Sequence, residues 1–225
     1  EVPDHGPFAQ KEWPDQEKGF ARMIEIIDSD VGRILDRLDE LGLAQNTLVL
    51  FSSDNGPHQE GGHKMNYFDS NGPLRGMKRD LYEGGIRVPL IVQWPGHIRP
   101  GLESDHISGF QDILPTLAEI AGKGVADTDG ISFVPTLLGD GGQQKKHPHL
   151  YWEFYEQGGK RAMRKGVWEA VQRNMRRSQN SSTELYDLSQ DLGEKVDVSA
   201  QYPLIVAEMK RLMDASHNDR MDVGL

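Results

Sequence analysis

The sequence contains no cysteine, which excludes disulfides, a cysteine nucleophile and thiolate metal sites within its 225 residues. The redox compartment is left open. No run of about 18 apolar residues is present, so nothing here is expected to span a membrane. Positive charge is also scarce: 25 Lys and Arg stand against 35 Asp and Glu, for a formal net charge of -10. That lacks the basic excess of a nucleic-acid surface. An acidic protein that handles an anion needs a local island of cations or a metal. A signal-peptide pattern and an initiator Met are missing as well. The chain begins at Glu1 and is expected to be processed or partial.

What is present is enough chain for one large domain, or one domain and a smaller one, with a real core. Residues 1–15 carry three prolines without a period and read as an extended lead-in. A helix is expected over about 16–41, where Phe20, Met23, Ile24, Ile27, Val31, Ile34, Leu35, Leu38 and Leu41 recur at spacings of three and four. Asp15 is placed to cap it and Gly42 to stop it. "NTLVLFSS" (46–53) and "VPLIVQWP" (88–95) read as strands; their unalternating apolar runs suit parallel strands covered on both faces. "QDILPTLAEIAG" is a further helix, with Pro115 early enough to be tolerated, and "ISFVPTLLG" a short helix or turn.

The texture changes after the Gly/Gln/Lys-rich "GDGGQQKKH". "HLYWEFYEQGGKRAMRKGVWEAVQRN" reads as antiparallel strands with "EQGGK" as a hairpin turn, and "ELYDL" as another strand. "RRSQNSS" is a solvated loop. "YPLIVAEMKRLMDASH" closes the chain with an amphipathic helix on Leu204, Ile205, Met209, Leu212 and Met213. Two doubly buried strands do not make a stable parallel sheet. The chain is therefore expected to be the C-terminal part of a larger α/β protein.

The chemistry concentrates between the two apolar strands. Ligands of open α/β sheets sit beyond the carboxyl ends of strands, and "SSDNG" lies at such an end. Asp54 and Asn55 offer hard oxygen ligands suited to Ca²⁺ or Mg²⁺, although "DNG" is also a common turn. Two ligands cannot complete such a site. Lys78, in "NGPLRGMKRDLYEGG", is a compact charge able to hold an oxyanion; the plain alternative is a solvent-facing lysine. Arg75, Arg79 and Arg87 are expected to brace carboxylates such as Glu83. Gly84 and Gly85 suggest positive φ or close backbone approach. His58 and His63 flank "QEGG" and are candidates for the substrate pocket or for structural roles. Their spacing is not that of a zinc helix.

The stretches "MIEIIDSDVGRILDRLDELGLAQNTLVLFSSDNGPH" and "SNGPLRGMKRDLYEGGIRVPLIVQWPG" resemble the second half of a type I, formylglycine-dependent sulfatase of the alkaline phosphatase superfamily. "LYWEF", "AMRKGVW" and "ELYDLSQDLGEKVDVSAQYP" resemble that family's C-terminal subdomain. "SDNG" followed by "LRG-x-K-x-x-LYEGG-x-R-x-P" is a specific pair. The resemblance implies an α/β fold: residues 1–140 as the C-terminal part of the catalytic domain, with a partial mixed or parallel sheet flanked by helices. Residues 147–225 would be an antiparallel-sheet plus helix subdomain. It implies Asp54 and Asn55 as ligands of Ca²⁺, with Mg²⁺ as the alternative, and Lys78 as a sulfate contact, with Arg79 the lesser alternative. The substrate would be a sulfated small molecule or sulfated glycan, and the compartment periplasmic or secreted. No "C/S-x-P-x-R" element is present to supply the formylglycine, nor the upstream Asp pair, Lys and His residues of the family. The implied partner is thus the missing N-terminal portion of the same protein, and the chain alone is expected to be inactive. A phosphoester or phosphonate hydrolase of the same superfamily and a non-catalytic glycan binder are the competing expectations.

Overall fold

The computed structural model describes residues 2–175 and 182–217; of "RRSQNSS", all but Ser182 lies outside the described residues. The regular elements run α1 (Asp15–Glu40), β1 (Val49–Ser52), α2 (Glu83–Ile86), β2 (Leu90–Gln93), α3 (Ile113–Ile120), α4 (Val134–Leu137), β3 (Leu150–Phe154), β4 (Lys160–Lys165), β5 (Trp168–Arg173), β6 (Thr183–Asp187) and α5 (Pro203–Ser216). The chain divides into two compact units. One comprises Glu1–Ser53, His58–Ser70 and Pro89–Lys146, the other Asp54–Pro57, Asn71–Val88 and His147–Leu225.

In the first unit, α1 ends where Gly42 takes a φ of 66°. There the Gly42 N–H donates to the Asp39 carbonyl and the Leu43 N–H to the Leu38 carbonyl, the paired bonds of a Schellman stop. Pro14, not Asp15, occupies the N-cap position. The strands β1 and β2 pair antiparallel, in the register Val49 with Gln93 through Ser52 with Leu90. The parallel expectation is corrected: an unalternating apolar run reports burial, and nothing in it fixes the direction of its neighbour. Nor are the two strands covered. Ile91 is 60% exposed, and Phe51 and Leu90 are exposed too. The α1 stripe is likewise open at Ile24, Ile27 and Ile34.

The second unit is built on the antiparallel sheet β3-β4-β5-β6. Neighbouring residues of a strand point to opposite faces, and both faces of this sheet are packed. Ala162, Val171 and Tyr186 form one cluster with Leu81, Tyr82 and Leu188. Met163, Ala170 and Leu185 form the other with Met209 and Met213 of α5. The central strands therefore read as continuous buried runs without alternation. Residues 155–159 make the expected hairpin loop between β3 and β4. On α5, Leu204 departs from the expected apolar face: it sits in the first turn and is 84% exposed.

Candidate active site

Asp54, Asn55 and Lys78 all fall in the second unit. The turn carrying Asp54 and Asn55 is tied to the segment carrying Lys78 by main-chain bonds. The Lys78 N–H donates to the Pro57 carbonyl at 2.8 Å, and the Gly56 N–H to the Gly85 carbonyl at 2.9 Å. Gly56 is required here, because a Cβ at this position would overlap the Gly84 carbonyl oxygen. Gly84 is required for the same reason, with the carbonyls of Arg75 and Gly76 against it. The expected close approach at Gly84 is thus observed, without positive φ.

The Lys78 loop is held from within and from β4. Asn71 donates from its amide to the carbonyls of Leu74 (2.6 Å) and Gly76 (2.8 Å). Lys160 donates to the Asp80 carboxylate (3.0 Å) and the Arg79 carbonyl (2.9 Å). Arg79 has a positive φ of 77° and lies 4.0 Å from Glu156. Arg87 pairs with Glu83 as expected. Arg75 does something different. Its guanidinium donates to the Tyr186 hydroxyl and the Glu194 carbonyl, both at 2.8 Å, and its carbon stacks 3.9 Å from the Tyr82 ring centroid. Both tyrosine hydroxyls donate to Glu184, at 2.6 Å from Tyr82 and 2.8 Å from Tyr186. Burial and those bonds to Glu184 raise both phenols above their ordinary range. Burial works to raise Glu184 itself, yet hydrogen bonds from Tyr82, Tyr186 and Arg173 hold its carboxyl below the usual value.

Asp54 is exposed and Asn55 half-buried. The Asn55 amide nitrogen faces the Asp54 carboxylate; a half-turn of that amide presents its oxygen beside the carboxylate instead. The donor set is hard oxygen, which suits Ca²⁺ or Mg²⁺. Among the described residues no group of three or more His, Asp or Glu side chains could hold a metal ion. The two residues would fit as part of such a site, and they do not make one up by themselves.

His58 and His63 fall in the first unit, with ring centroids 6.3 Å apart. The half-buried His58 accepts the Glu60 N–H at Nδ1, 2.9 Å, which leaves the proton of a neutral ring on Nε2. His63 is only 3% exposed. Its Nδ1 lies 2.5 Å from Glu17 Oε2, its ring stacks on Phe20 at 3.7 Å, and its Nε2 is buried without a partner. Glu17 also accepts the Lys64 N–H at 2.8 Å. Sequence reasoning missed Glu17, although the signal existed: it sits three residues before Phe20, on the apolar stripe of α1. It also missed the distant partners of Arg75, Tyr186 of β6 and Glu194 in the loop after it, which leave no local trace.

A family model described as Sulfatase matches residues 4–123. A second, described as N-sulphoglucosamine sulphohydrolase, C-terminal, matches residues 76–219. Human arylsulfatase A (Homo sapiens) is 32% identical over 217 residues, covering 86% of this chain and 42% of its own. The steryl-sulfatase of Mus musculus is 40% identical over 160 residues, covering 67% of this chain and 25% of its own. Among solved structures, Ps i-CgsB in complex with k-i-k-neocarrahexaose is similar at 27% identity and a TM-score of 0.78, over 92% of this chain and 44% of that one. The chain spans less than half the length of each of these proteins.

Proposed function

Because this chain belongs to the sulfatase family, we propose that it forms the carboxyl-terminal wall of a sulfate-ester hydrolase site, completed by an amino-terminal portion that carries the nucleophile. The observation that supports this most is the main-chain tie between the two site segments, Lys78 N–H to Pro57 and Gly56 N–H to Gly85. It fixes the backbone that bears a cation against the backbone that bears two metal-type oxygens. Asp54 and Asn55 would bind Ca²⁺, or Mg²⁺, on one side of the sulfate. The bound ion supplies charge for the non-bridging oxygens, and a formylglycine of the missing portion supplies the nucleophile. Lys78 holds a sulfate oxygen from the other side. Its anchored backbone needs no reorganisation as charge builds up, the condition under which such a group is worth about 3–4 kcal/mol.

The substrate is a sulfated glycan or a sulfated small molecule. His58 would offer its Nε2 proton to a hydroxyl of that substrate. His63, being buried, would act behind it, by packing. The exposed apolar faces of β1–β2 and α1 are the surfaces that the amino-terminal portion would cover, since an open apolar edge of this kind invites pairing. No described helix is long and apolar enough to cross a membrane.

The test is hydrolysis of a chromogenic aryl sulfate, and of sulfated oligosaccharides, by the 225-residue chain and by the full-length protein. The full-length protein is expected to turn over and to lose metal-dependent activity in Asp54→Ala. The chain alone is expected to be inactive, and hydrolysis by it would overturn this account. A faster rate on an aryl phosphonate than on any sulfate would replace it with the phosphonate hydrolase alternative.

A further inference from the structure

The second unit contains a group of carboxyls that the sulfate site does not use. Glu83, Glu169 and Glu194 are each at most 1% exposed. Glu83 is satisfied: one oxygen takes Arg164 at 3.0 Å and the other takes Arg87. Glu194 accepts the Glu83 N–H at 2.9 Å through Oε2, while its Oε1 has no partner. Glu169 is worse placed, with neither carboxylate oxygen meeting a donor. The charged groups that face these two are Glu83, Arg164, Arg75 and Asp191. Arg164 and Arg87 are engaged with Glu83, and among the described residues no donor meets either oxygen of Glu169. A buried, unpaired carboxylate beside two others is among the costliest arrangements in a protein. The same geometry becomes favourable if one carboxyl keeps its proton, because it can then donate to a neighbouring carboxylate.

We propose that Glu169, Glu83 and Glu194 form a proton-sharing cluster in which Glu169 stays a neutral carboxylic acid at physiological pH, so that the second unit is stabilised by acid and loosened by base. Burial first, and then the Glu194 and Glu83 carboxylates, push Glu169 well above the ordinary carboxylate range. Burial, aided by the Glu83 charge and opposed by the Glu83 N–H and Arg75, pushes Glu194 up to about 8. A group raised in the folded state binds its proton more tightly there than in the unfolded chain. Its contribution is full below the ordinary value of 4.5 and is lost as the pH rises through about 8. For Glu194 the folding equilibrium constant falls by roughly 10³ over that window. The loss is transmitted to a specific place. Glu83 opens α2, whose Gly84 and Gly85 pack against the Gly56 turn.

Thermal unfolding between pH 5 and pH 9 reads the stability directly, without reference to catalysis. The wild-type protein is expected to lose stability steadily as the pH rises. Glu169→Gln, neutral at every pH and of the same length, is expected to melt higher at pH 9 and to flatten the slope; Glu169→Gln with Glu194→Gln should nearly abolish it. Infrared difference spectra at pH 7 should show the carbonyl stretch of a protonated carboxyl, absent in Glu169→Gln. If the variants fail to fold, the infrared band of the wild type still decides. Absence of that band, or an unchanged slope in Glu169→Gln, would overturn the proposal.

Discussion

Removing the Arg75 side chain is the sharpest perturbation the second unit offers. Arg75→Ala deletes two charge-assisted bonds, to the Tyr186 hydroxyl and the Glu194 carbonyl at 2.8 Å each, a longer one to Tyr82 at 3.2 Å, and the stacking on Tyr82 at 3.9 Å. A hydrogen bond involving a charged group contributes about 1.5–3 kcal/mol, and a half-buried guanidinium over a ring about 0.5–2 kcal/mol. These terms overlap, so the expected loss is about 3–5 kcal/mol, a large share of the roughly 5–15 kcal/mol that holds a domain. Urea unfolding followed by far-ultraviolet circular dichroism should show the midpoint falling by about 1–5 M for a slope of about 1–3 kcal/mol/M. Arg75→Lys should recover only part of the loss, because an ammonium cannot reach two acceptors in one plane while stacking on Tyr82. A loss below about 1 kcal/mol for Arg75→Ala, or a wild-type midpoint for Arg75→Lys, would refute the assignment of Arg75 as the tie between the Lys78 segment and β6.

Further outcomes follow from packing and charge. Met209→Ala, at a fully buried site on the sheet, should cost about 2–5 kcal/mol in the same unfolding assay, whereas Leu204→Ala on the open end of α5 should stay within about 0.5 kcal/mol. Glu184 is held below its ordinary 4.5 by the hydrogen bonds of Tyr82, Tyr186 and Arg173 working against burial. Its stabilisation is therefore present above pH 4.5 and lost as the pH falls through the depressed folded value. Melting curves below pH 4.5 should drop in the wild type and be flatter in Glu184→Gln, which starts from a lower stability at pH 6.

The parts of this fold that were legible in the sequence are those encoded locally. The α1 stripe ends at Leu41, next to its Gly42 stop, and the hairpin at 155–159 follows the aromatic run Tyr151, Trp152 and Phe154 and carries the pair Gly158 and Gly159. The pairing direction of β1 and β2 was not legible, because a short apolar run is symmetric with respect to its neighbour. Leu204 misled for a related reason: the helical period continued to the first turn of α5, where the sheet no longer lies beneath it. In β4 and β5 both faces are packed, so neither alternation nor polarity marked Glu169 as buried. Of the candidate site, Asp54, Asn55 and Lys78 were named from their motifs, and the structure places them in one unit. The Arg75 network and the carboxyl cluster were not, because each joins the "LRG" and "YEGG" segments to residues far along the chain. Those same long-range contacts explain why 54–57 and 71–88, expected with the first part of the chain, group with the C-terminal unit.

The central claim is that Lys78, anchored opposite Asp54 and Asn55, holds the sulfate during hydrolysis. Steady-state kinetics of full-length Lys78→Ala on an aryl sulfate, with Arg79→Ala alongside, tests it most directly. A fall in kcat of about 10²–10³ for Lys78→Ala, with unchanged melting temperature and near wild-type rates for Arg79→Ala, is the predicted result. A wild-type kcat for Lys78→Ala, or the larger loss in Arg79→Ala, would contradict it.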